Sequence, residues 1–402
     1  MGLAETGTVA VLADAGHLTA REISRAEGFR VEFVRDWKHA VARWSGIGSS
    51  TPFQDHRWLE AWYAAFVNFS EIEPLIAIVH DAATSEQVAL LPLVRRMQNG
   101  VRIVEFADLN LTDYNAPLLT AAAPRNAARA RVLWRDLLSA LKRLPGGADL
   151  MRLRKMPLDL ANGPNPLALL DGARPCPLNG NVVTTGDDFD AYRYSLERTV
   201  RKNLERSWRV FTRDPAAAFR IVTDRNEALR VLSTMGIQQA ARMRHLGLNF
   251  VLDDETSVAF YRHLVDAGLD SGYAVLSALT AGEEVVATLL GIRSGSCYVM
   301  LRSSHAGEDW SHCSPGRLII KRTMAALHQE GVRSFDFSIG NYAYKRRFGV
   351  TPLPLVDLTA ALGWRGIPYV LRDHAVRQLR RFPRLAACLS RLLGKPQTRE
   401  ES

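Results

Sequence analysis

The chain has 402 residues, with 51 Lys and Arg against 42 Asp and Glu, and its net charge is +9. This length corresponds to about two domains, each large enough to bury its own core. Apolar residues make up 47% and charged residues 23% of the chain, which excludes a disordered or fibrous protein. The positive charge suits an anionic ligand or surface, but it is too evenly spread to indicate nucleic acid by itself.

The sequence predicts a cytoplasmic protein. Its longest apolar runs, such as residues 285–292, are far shorter than the ~20 residues that a membrane-spanning helix needs. The N-terminus lacks the basic start of a secretion signal. The four cysteines are scattered and form no C-x-x-C pair, which favours reduced thiols. His305, Asp309, His312 and Cys313 lie close in sequence, but their spacing matches no common zinc pattern, so we expect no metal.

The first half of the chain is predicted to form an α/β domain over residues 29–185, preceded by a loose arm over residues 1–28. Trp58, Trp62 and Phe66 recur every fourth residue, which places them on one helix face and predicts that they are core residues. The other predicted elements are a strand at 29–33, a helix at 36–44, strands at 75–79, 88–94 and 101–106, a helix at 129–144 and a strand at 150–153. Residues 156–177, rich in Pro, Asn and Gly, are predicted to be a connection.

A basic helix is predicted to link the two halves over residues 186–215. Its apolar residues step by four, four, four and three, as one helical stripe does: Leu196, Val200, Leu204, Trp208 and Phe211. Its other faces carry seven basic residues: Arg193, Arg198, Arg201, Lys202, Arg206, Arg209 and Arg213.

The second half repeats the order of the first. It is predicted to be a domain over residues 216–365, with a strand at 219–222, helices at 227–244 and 260–268, strands at 273–279, 285–293 and 297–303, a helix at 316–329 and a strand at 334–338. Both halves thus run helix, β-meander, helix, strand, which indicates a duplicated unit. Residues 366–402 form a basic amphipathic tail, a candidate for peripheral contact with an anionic membrane, although such a face is more often solvated or packed on its own domain.

Two segments of the second half could carry chemistry. In SPGRLIIKRTM, Gly316 opens a helix whose free N–H groups and dipole could hold a phosphate, helped by Arg317. An ordinary helix start with a solvated basic face is the alternative. In SFDFSIGNYAYKRRFG, Tyr344 and Lys345 follow the end of a strand, where a Tyr could protonate a leaving thiolate and a Lys could stabilise an oxyanion. A basic solvated turn is the alternative there.

These segments, together with TPFQDHRWLEAWYAAF, ALLPLVRR, TDYNAPLL and SLERTVRKNLERSWR, resemble the GNAT superfamily. The resemblance is specifically to CelD-type (cellulose-biosynthesis) acetyltransferase-like proteins, relatives of the FemAB and FemX peptidyltransferases, and it covers about residues 50–350. It implies an α/β fold of two tandem GNAT-like (acyl-CoA N-acyltransferase) domains, with mixed sheets flanked by helices. It also implies acetyl-CoA as a co-substrate, bound in the second domain.

The resemblance assigns roles to particular positions. It implies that the donor phosphates meet Ser314, Pro315, Gly316 and Arg317, although Gly316 alone survives from the richer glycine pattern of the family. It implies that Tyr344 protonates the CoA thiolate and that Lys345 lies near the reacting carbonyl. Asp113 and Tyr114 match an Asp-Tyr pair that faces the acceptor. The general base stays open between four residues: Asp336, Asp309, His305 and Glu284.

Three functions compete. The first is an acyltransferase that moves an acyl group, expected to be acetyl, from acyl-CoA to an amine or sugar hydroxyl in polysaccharide or envelope biosynthesis. The second is a Fem-like transferase that uses aminoacyl-tRNA, and the third is a non-catalytic, membrane-associated partner of a glycan-synthesis complex. The chain shows no DNA-docking motif and no G-x-S-x-G, P-loop or H-E-x-x-H motif, so the sequence argues against DNA binding, hydrolase and nucleotidase functions.

Overall fold

The computed structural model describes residues 28–46, 50–67, 71–250, 252, 254–340 and 342–380. The predicted arm therefore lies outside the described residues except for Gly28, and so does the part of the predicted tail beyond residue 380.

In the N-terminal half, the described residues form three α-helices and eleven strands. The helices are α1 (Trp37–Arg43), α2 (His56–Phe66) and α3 (Ala127–Lys142). The strands are β1 (Phe29–Val34), β2 (Ile72–Pro74), β3 (Ile76–Asp81), β4 (Gln87–Leu91), β5 (Leu93–Gln98), β6 (Val101–Phe106), β7 (Leu118–Leu119), β8 (Leu150–Pro157), β9 (Asp159–Leu160), β10 (Gly163–Pro164) and β11 (Arg174–Pro175). Side chains cap each helix start, since Asp36, Asp55 and Asn126 accept from free backbone N–H groups.

From residue 180 to residue 380, the described part of the chain forms seven α-helices and eight strands. The helices are α4 (Phe189–Ser195), α5 (Arg198–Phe211), α6 (Arg225–His245), α7 (Glu255–Gly268), α8 (Pro315–Gln329), α9 (Ala343–Arg346) and α10 (Ile367–Arg380). The strands are β12 (Gly180–Thr184), β13 (Ala217–Val222), β14 (Ala274–Ala281), β15 (Glu284–Ser294), β16 (Cys297–His305), β17 (Ser334–Asp336), β18 (Thr351–Leu353) and β19 (Leu355–Ala361).

The two halves have the same core topology, so the predicted duplication is confirmed. In the N-terminal half, α3 connects β6 to β8, and these two strands pair in parallel. In the C-terminal half, α8 connects β16 to β17, which also pair in parallel. Antiparallel meanders precede both units, and helices cover the sheets. The mixed α/β fold predicted from the sequence is therefore correct.

The halves complete each other's sheets. The strand that follows the N-terminal half, β12, pairs with β17 in the seven-stranded C-terminal sheet, whose order is β13-β14-β15-β16-β17-β12-β18. The strand that follows the C-terminal half, β19, pairs with β8 in the six-stranded sheet of order β11-β19-β8-β6-β5-β2. Each half therefore has its last parallel strand covered by a strand from beyond the other.

This exchange differs from the predicted domain boundaries. Residues 180–184 were assigned to the first domain but lie in the second sheet, and residues 355–361 were assigned to the second domain but lie in the first. Their pairing partners are distant in sequence, so no local pattern reveals them. The predicted linking helix is also two helices, because Leu196 and Glu197 adopt extended backbone between α4 and α5.

The aromatic stripe of α2 lies in the core, as predicted, and that core joins the halves. Trp58 and Trp62 are fully buried. Trp58 meets Phe260 of α7 edge-on, with ring centroids 4.9 Å apart, and Phe66 approaches the same ring at 6.2 Å. Tyr273 reinforces the junction by donating a hydrogen bond from its hydroxyl to the carbonyl oxygen of Pro52 at 2.7 Å.

We predict that Trp58→Ala lowers the free energy of unfolding by about 3–5 kcal/mol, because it opens a cavity where the two halves meet. Trp364→Ala is the matched control, since that ring is 76% exposed and its loss should cost less than about 0.5 kcal/mol. Urea denaturation followed by circular dichroism measures both changes. Equal effects from the two variants would contradict the assignment of Trp58 to the shared core.

Candidate active site

A buried polar cluster crosses the junction between the halves. The Tyr114 hydroxyl donates to Asp336 Oδ1 at 2.8 Å, although the two residues are 222 positions apart. The Ser338 hydroxyl donates to Asp113 Oδ2, and the Ser338 N–H donates to Asp336 Oδ1 at 2.6 Å. The loop after β6 and the end of β17 thus meet, and three predicted site residues (Asp113, Tyr114 and Asp336) come together.

The exchanged strand β12 helps to build this cluster. A Cβ atom on Gly180 would collide with the Tyr114 hydroxyl, so glycine leaves the space through which Tyr114 reaches Asp336. Asn181 donates from Nδ2 to the carbonyl oxygens of Ser338 and Gly340, at 2.8 and 3.0 Å. The turn after β17 is held in place by these bonds, with Ser338 in the left-handed region at φ 65°.

Lys345 closes the cluster from α9. Its side chain is buried, and its Nζ donates to the carbonyl oxygens of Ile339 and Ser338, at 2.7 and 3.2 Å. An ammonium group carries three protons, so two of them stabilise the turn between β17 and α9. The predicted site residue therefore lies beside the cluster and has a structural task there as well.

Desolvation shifts the pKa values of three groups in the cluster toward 7. Desolvation raises the pKa of Asp113 to about 7, against the opposing charge of Lys155. Desolvation also raises the pKa of Asp336 to about 6, against the hydrogen bonds from Tyr114 and the Ser338 backbone. The pKa of Lys345 falls to about 8 for the same reason, and the two carboxylates oppose this. Such values suit groups that exchange protons near pH 7.

Tyr344 lies next to Lys345 on α9. Its ring stacks on Tyr342 with centroids 6.2 Å apart, and burial raises the pKa of its hydroxyl to about 12. The hydroxyl therefore keeps its proton at neutral pH. Within the described part of the chain, the hydrogen bonds that hold the cluster do not include this hydroxyl, so Tyr344 borders the cluster and is not one of its bonded members.

A wedge opens between β16 and β17 directly above the cluster. The two strands pair over three residues, and the last pair joins Val299 to Asp336. β16 then continues to His305 along β15, with a register irregularity near Leu290, while the chain after Asp336 turns away. In the described residues no strand pairs with this free edge of β16, so its backbone groups can bind an extended ligand.

The predicted phosphate loop lies at the wide end of the wedge, where α8 begins. Ser314 has a left-handed backbone at φ 50°, and its side chain does not cap the helix but accepts a hydrogen bond from Arg317 at 2.8 Å. A Cβ on Gly316 would meet only the ring of His305, at an ordinary 3.4 Å. The protein's own packing therefore does not require glycine at this position. A ligand that approaches the backbone closely would require it.

The matching helix in the N-terminal half, α3, has a capped N-terminus. At the start of α3, the Asn126 side chain accepts from the Arg129 N–H at 3.0 Å and fills the helix end. The Arg129 side chain pairs with Asp81 at 2.7 Å and lies over the Phe29 ring at 4.5 Å. The two copies of one architecture thus differ at this helix start: α3 has a side-chain cap, and its counterpart α8 has none.

Four residues near the cluster were missed by sequence reasoning. They are Ser338, Asn181, Asp108 and Lys155, of which Lys155 donates to Asp108 Oδ1 at 2.9 Å and lies near Asp113. Ser338 stands beside the strand end that the sequence analysis singled out, so its position was a usable signal. The other three carry no local signal, because their relevance comes from distant partners.

The alternative bases lie elsewhere. Glu284 accepts from the Trp310 indole at 3.0 Å, and the His305 ring contacts the Ala306 carbonyl oxygen at 2.9 Å, both outside the cluster. In the described ranges, no group of three His, Cys, Asp or Glu side chains could hold a metal ion. Cys176, Cys297 and Cys313 are free thiols there.

Residues 198–346 match a family model described as an acetyltransferase (GNAT) domain. This stretch contains the uncapped helix, the wedge and the C-terminal part of the cluster. A comparison with curated proteins finds no significant sequence match.

Solved structures share the architecture over most of the chain. FemX is 11% identical, with a TM-score of 0.54 over 82% of this chain and 96% of its own. A conserved protein of unknown function from Bacteroides thetaiotaomicron is 10% identical, with a TM-score of 0.50 over 83% and 99%. A tandem GNAT protein from the clavulanic acid biosynthesis pathway is 12% identical, with a TM-score of 0.44 over 83% and 99%. Identities this low show a likeness of fold alone, and the GNAT description rests on the match over residues 198–346.

We predict that the two carboxyls of the cluster, Asp113 and Asp336, make the protein less stable as the pH rises from about 4 to about 7. The folded-state pKa values of Asp113 and Asp336 lie above the ordinary 3.8, so the folded chain keeps protons that the unfolded chain has released. For each carboxyl, every pH unit between its unfolded-state and its folded-state pKa lowers the free energy of unfolding by about 1.4 kcal/mol. Urea unfolding at several pH values measures the slope.

Asp113→Asn should flatten that slope. The control is Asp187→Asn, because the Asp187 side chain is 99% exposed and should contribute little. A slope that is unchanged in Asp113→Asn would mean that Asp113 does not titrate in this range.

Proposed function

We propose that the protein is an acyltransferase that moves an acyl group, acetyl in the first instance, from acyl-CoA to an amine or sugar hydroxyl. The observation that carries this proposal is the path from the uncapped start of α8, along the free edge of β16, to the buried cluster at Asp336. The start of α8 suits a phosphate group, and the free edge of β16 suits a chain of amides. The cluster at Asp336 suits the reacting carbonyl. The GNAT domain over residues 198–346 supports the same assignment.

Positive charge favours the phosphate end of this path. Burial lowers the pKa of Arg317, and the neighbouring Arg347 adds to that effect, so two guanidinium groups lie close together. Two cations beside a helix N-terminus attract an anion through both charge and free N–H groups. Ser314, Pro315, Gly316 and Arg317 are the residues that we assign to the donor phosphates.

We assign the general base to Asp113. Asp336 is less suitable, because it is buried and already accepts bonds from Tyr114 and the Ser338 backbone. Asp113 accepts from Ser338, is partly accessible and has a pKa of about 7. In its ionised form, Asp113 takes the proton of the acceptor amine or hydroxyl, so that the acceptor can attack the thioester carbon.

The remaining residues stabilise the charges that this attack creates. Lys345 presents a positive charge beside the turn where the developing oxyanion forms. As the carbon–sulfur bond breaks, Tyr344 gives its proton to the leaving sulfur. The resulting phenolate then takes up a proton from solvent. Tyr114 and Asn181 act as positioning residues, because they hold Asp336 and the turn in place.

The acceptor is proposed from chemistry and from the resemblance to CelD-type proteins. An Asp base with a pKa near 7 can deprotonate an amine or assist a sugar hydroxyl. The resemblance supports a precursor of polysaccharide or envelope material, and we propose that class for the first acceptor screen.

Gly316→Glu should weaken the binding of acetyl-CoA about tenfold or more, because it sets a carboxylate against the phosphates. Ala128→Glu is the matched control, since Ala128 is the second residue of α3, as Gly316 is of α8. Calorimetric titration with acetyl-CoA, and with desulfo-CoA as the comparison ligand, measures both affinities. Equal affinity in the Gly316 variant would show that the phosphates bind elsewhere, and no binding of any CoA species to the wild type would remove the proposed donor.

Tyr344→Phe should reduce turnover by roughly 100-fold while leaving the affinity for acetyl-CoA nearly unchanged, because it removes a proton donor and keeps the ring. Steady-state rates with an acceptor from the screen, together with the calorimetric affinity, separate the two effects. Tyr342→Phe is the control, since Tyr342 is 61% exposed and stacks on the same ring. Unchanged turnover in Tyr344→Phe would remove this residue from the chemistry.

One observation favours a second candidate, a Fem-like transferase that uses aminoacyl-tRNA. The exposed side of α5 and the residues after it carry a straight row of cations: Arg198, Lys202, Arg206, Arg209 and Arg213. Within the described residues none of the five forms an ion pair with a carboxylate, so the row is free to meet a polyanion. Loss of activity after ribonuclease treatment, in a protein that binds no CoA species, would favour this function over the first.

A further inference from the structure

The helix α10 is attached to the N-terminal half by one of its faces. Tyr369 and Val370 pack against a small apolar cluster formed by Val101, Ile103 and Leu150 on β6 and β8. This contact fixes the orientation of the helix and of the short turn Trp364–Gly366 before it.

The opposite face is apolar and open to solvent. Trp364 is 76% exposed, Ile367 49% and Leu371 63%. Ile367 and Leu371, four residues apart, lie along one side of the helix, and Trp364 precedes Ile367 by three residues in the turn that leads into it. Single exposed apolar residues are common on protein surfaces, but an aligned row that includes a tryptophan indicates a surface with a partner.

The charges around this row are positive. Arg365 and Arg372 are exposed beside it, and the Arg365 guanidinium lies 5.3 Å from the centre of the Trp364 ring. The acid of this stretch, Asp373, is partly buried and accepts a hydrogen bond from the Thr359 hydroxyl at 3.3 Å. In the sequence, residues 376–399 add seven Lys or Arg and no Asp or Glu.

The surface beyond the helix carries mixed charge. Val370 and Arg372 border an open cleft of about 1050 Å³ beside the six-stranded sheet. Its lining includes four arginines (Arg96, Arg152, Arg154 and Arg174) and also Glu105, which pairs with Arg96 and Arg152. Arg154 is exposed and forms no ion pair with a carboxylate in the described part of the chain.

We propose that the face formed by Trp364, Ile367 and Leu371, with Arg365 and Arg372 beside it, binds the surface of an anionic membrane. The contact proposed here is peripheral, made by one face of a helix. No described helix has the length and apolarity to span a bilayer. Tryptophan prefers the level of the lipid headgroups, aliphatic side chains enter the acyl boundary, and arginines pair with anionic headgroups. A second copy of the chain is the less suitable occupant, because two such faces would bring Arg365 and Arg372 against like charges.

Co-sedimentation of the full chain with phosphatidylglycerol vesicles tests this proposal. We expect binding that weakens as salt is raised, and much weaker binding to phosphatidylcholine vesicles. Leu371→Glu should reduce the affinity about tenfold or more, since it replaces an apolar side chain that would enter the membrane with a charge repelled by the anionic lipid. Ile237→Glu is the matched control, because Ile237 is 65% exposed on α6, far from this face in sequence, and should leave binding unchanged.

A second readout locates the contact. Brominated lipids should quench part of the tryptophan fluorescence in the wild type, and Trp364→Phe should remove that quenching while its circular dichroism stays the same. The proposal is overturned by absence of binding to phosphatidylglycerol, by equal loss in the Ile237 control, or by quenching that survives in Trp364→Phe. Light scattering that shows a dimer abolished by Leu371→Glu would also overturn it, in favour of a second copy. None of these outcomes depends on acyl transfer.

Discussion

The exchange of β12 and β19 is the constraint on which the rest of this structure depends. Each half has its last parallel strand covered by a strand from beyond the other half, so each of the two large sheets contains strands from both parts of the chain. The halves are therefore fixed to each other through main-chain hydrogen bonds as well as through the aromatic core of Trp58 and Phe260. A rigid junction allows Tyr114 to meet Asp336 at 2.8 Å, and it allows glycine and asparagine of β12 to shape the turn beside them.

Within this symmetric frame, the two halves have divergent chemistry. Both have a helix that connects two parallel strands, but the start of α3 is filled by the Asn126 side chain, whereas the start of α8 is not capped by Ser314. The Asn126 side chain occupies the space at the start of α3 where an anion would approach, so our proposal places the donor phosphates at α8. In the same proposal, the N-terminal half supplies Asp113 and Tyr114 to the site.

Ionisable groups at the junction are expensive to bury. Asp113, Asp336 and Lys345 lose hydration there, and the pKa of each moves toward neutrality, upward for the acids and downward for the lysine. A core made for stability alone would place apolar groups at such a position. The cost is met by hydrogen bonds from Tyr114, the Ser338 backbone and the Ser338 hydroxyl, and the result is a set of proton-exchanging groups that a surface position would not provide.

Elements that depend on local patterns were predictable from the sequence. Four-residue spacing predicted α2 and α5, alternation and glycine turns predicted the meanders, and the Ser-Pro-Gly run predicted the start of α8. The candidate residues came from strand ends and from the resemblance to a family, in two groups far apart in the chain. Tertiary structure alone decided that β12 and β19 change sheets and that Asp113 and Tyr114 meet Ser338 and Asp336. Strand pairing depends on partners more than 100 positions away, and no pattern of neighbouring residues encodes that distance.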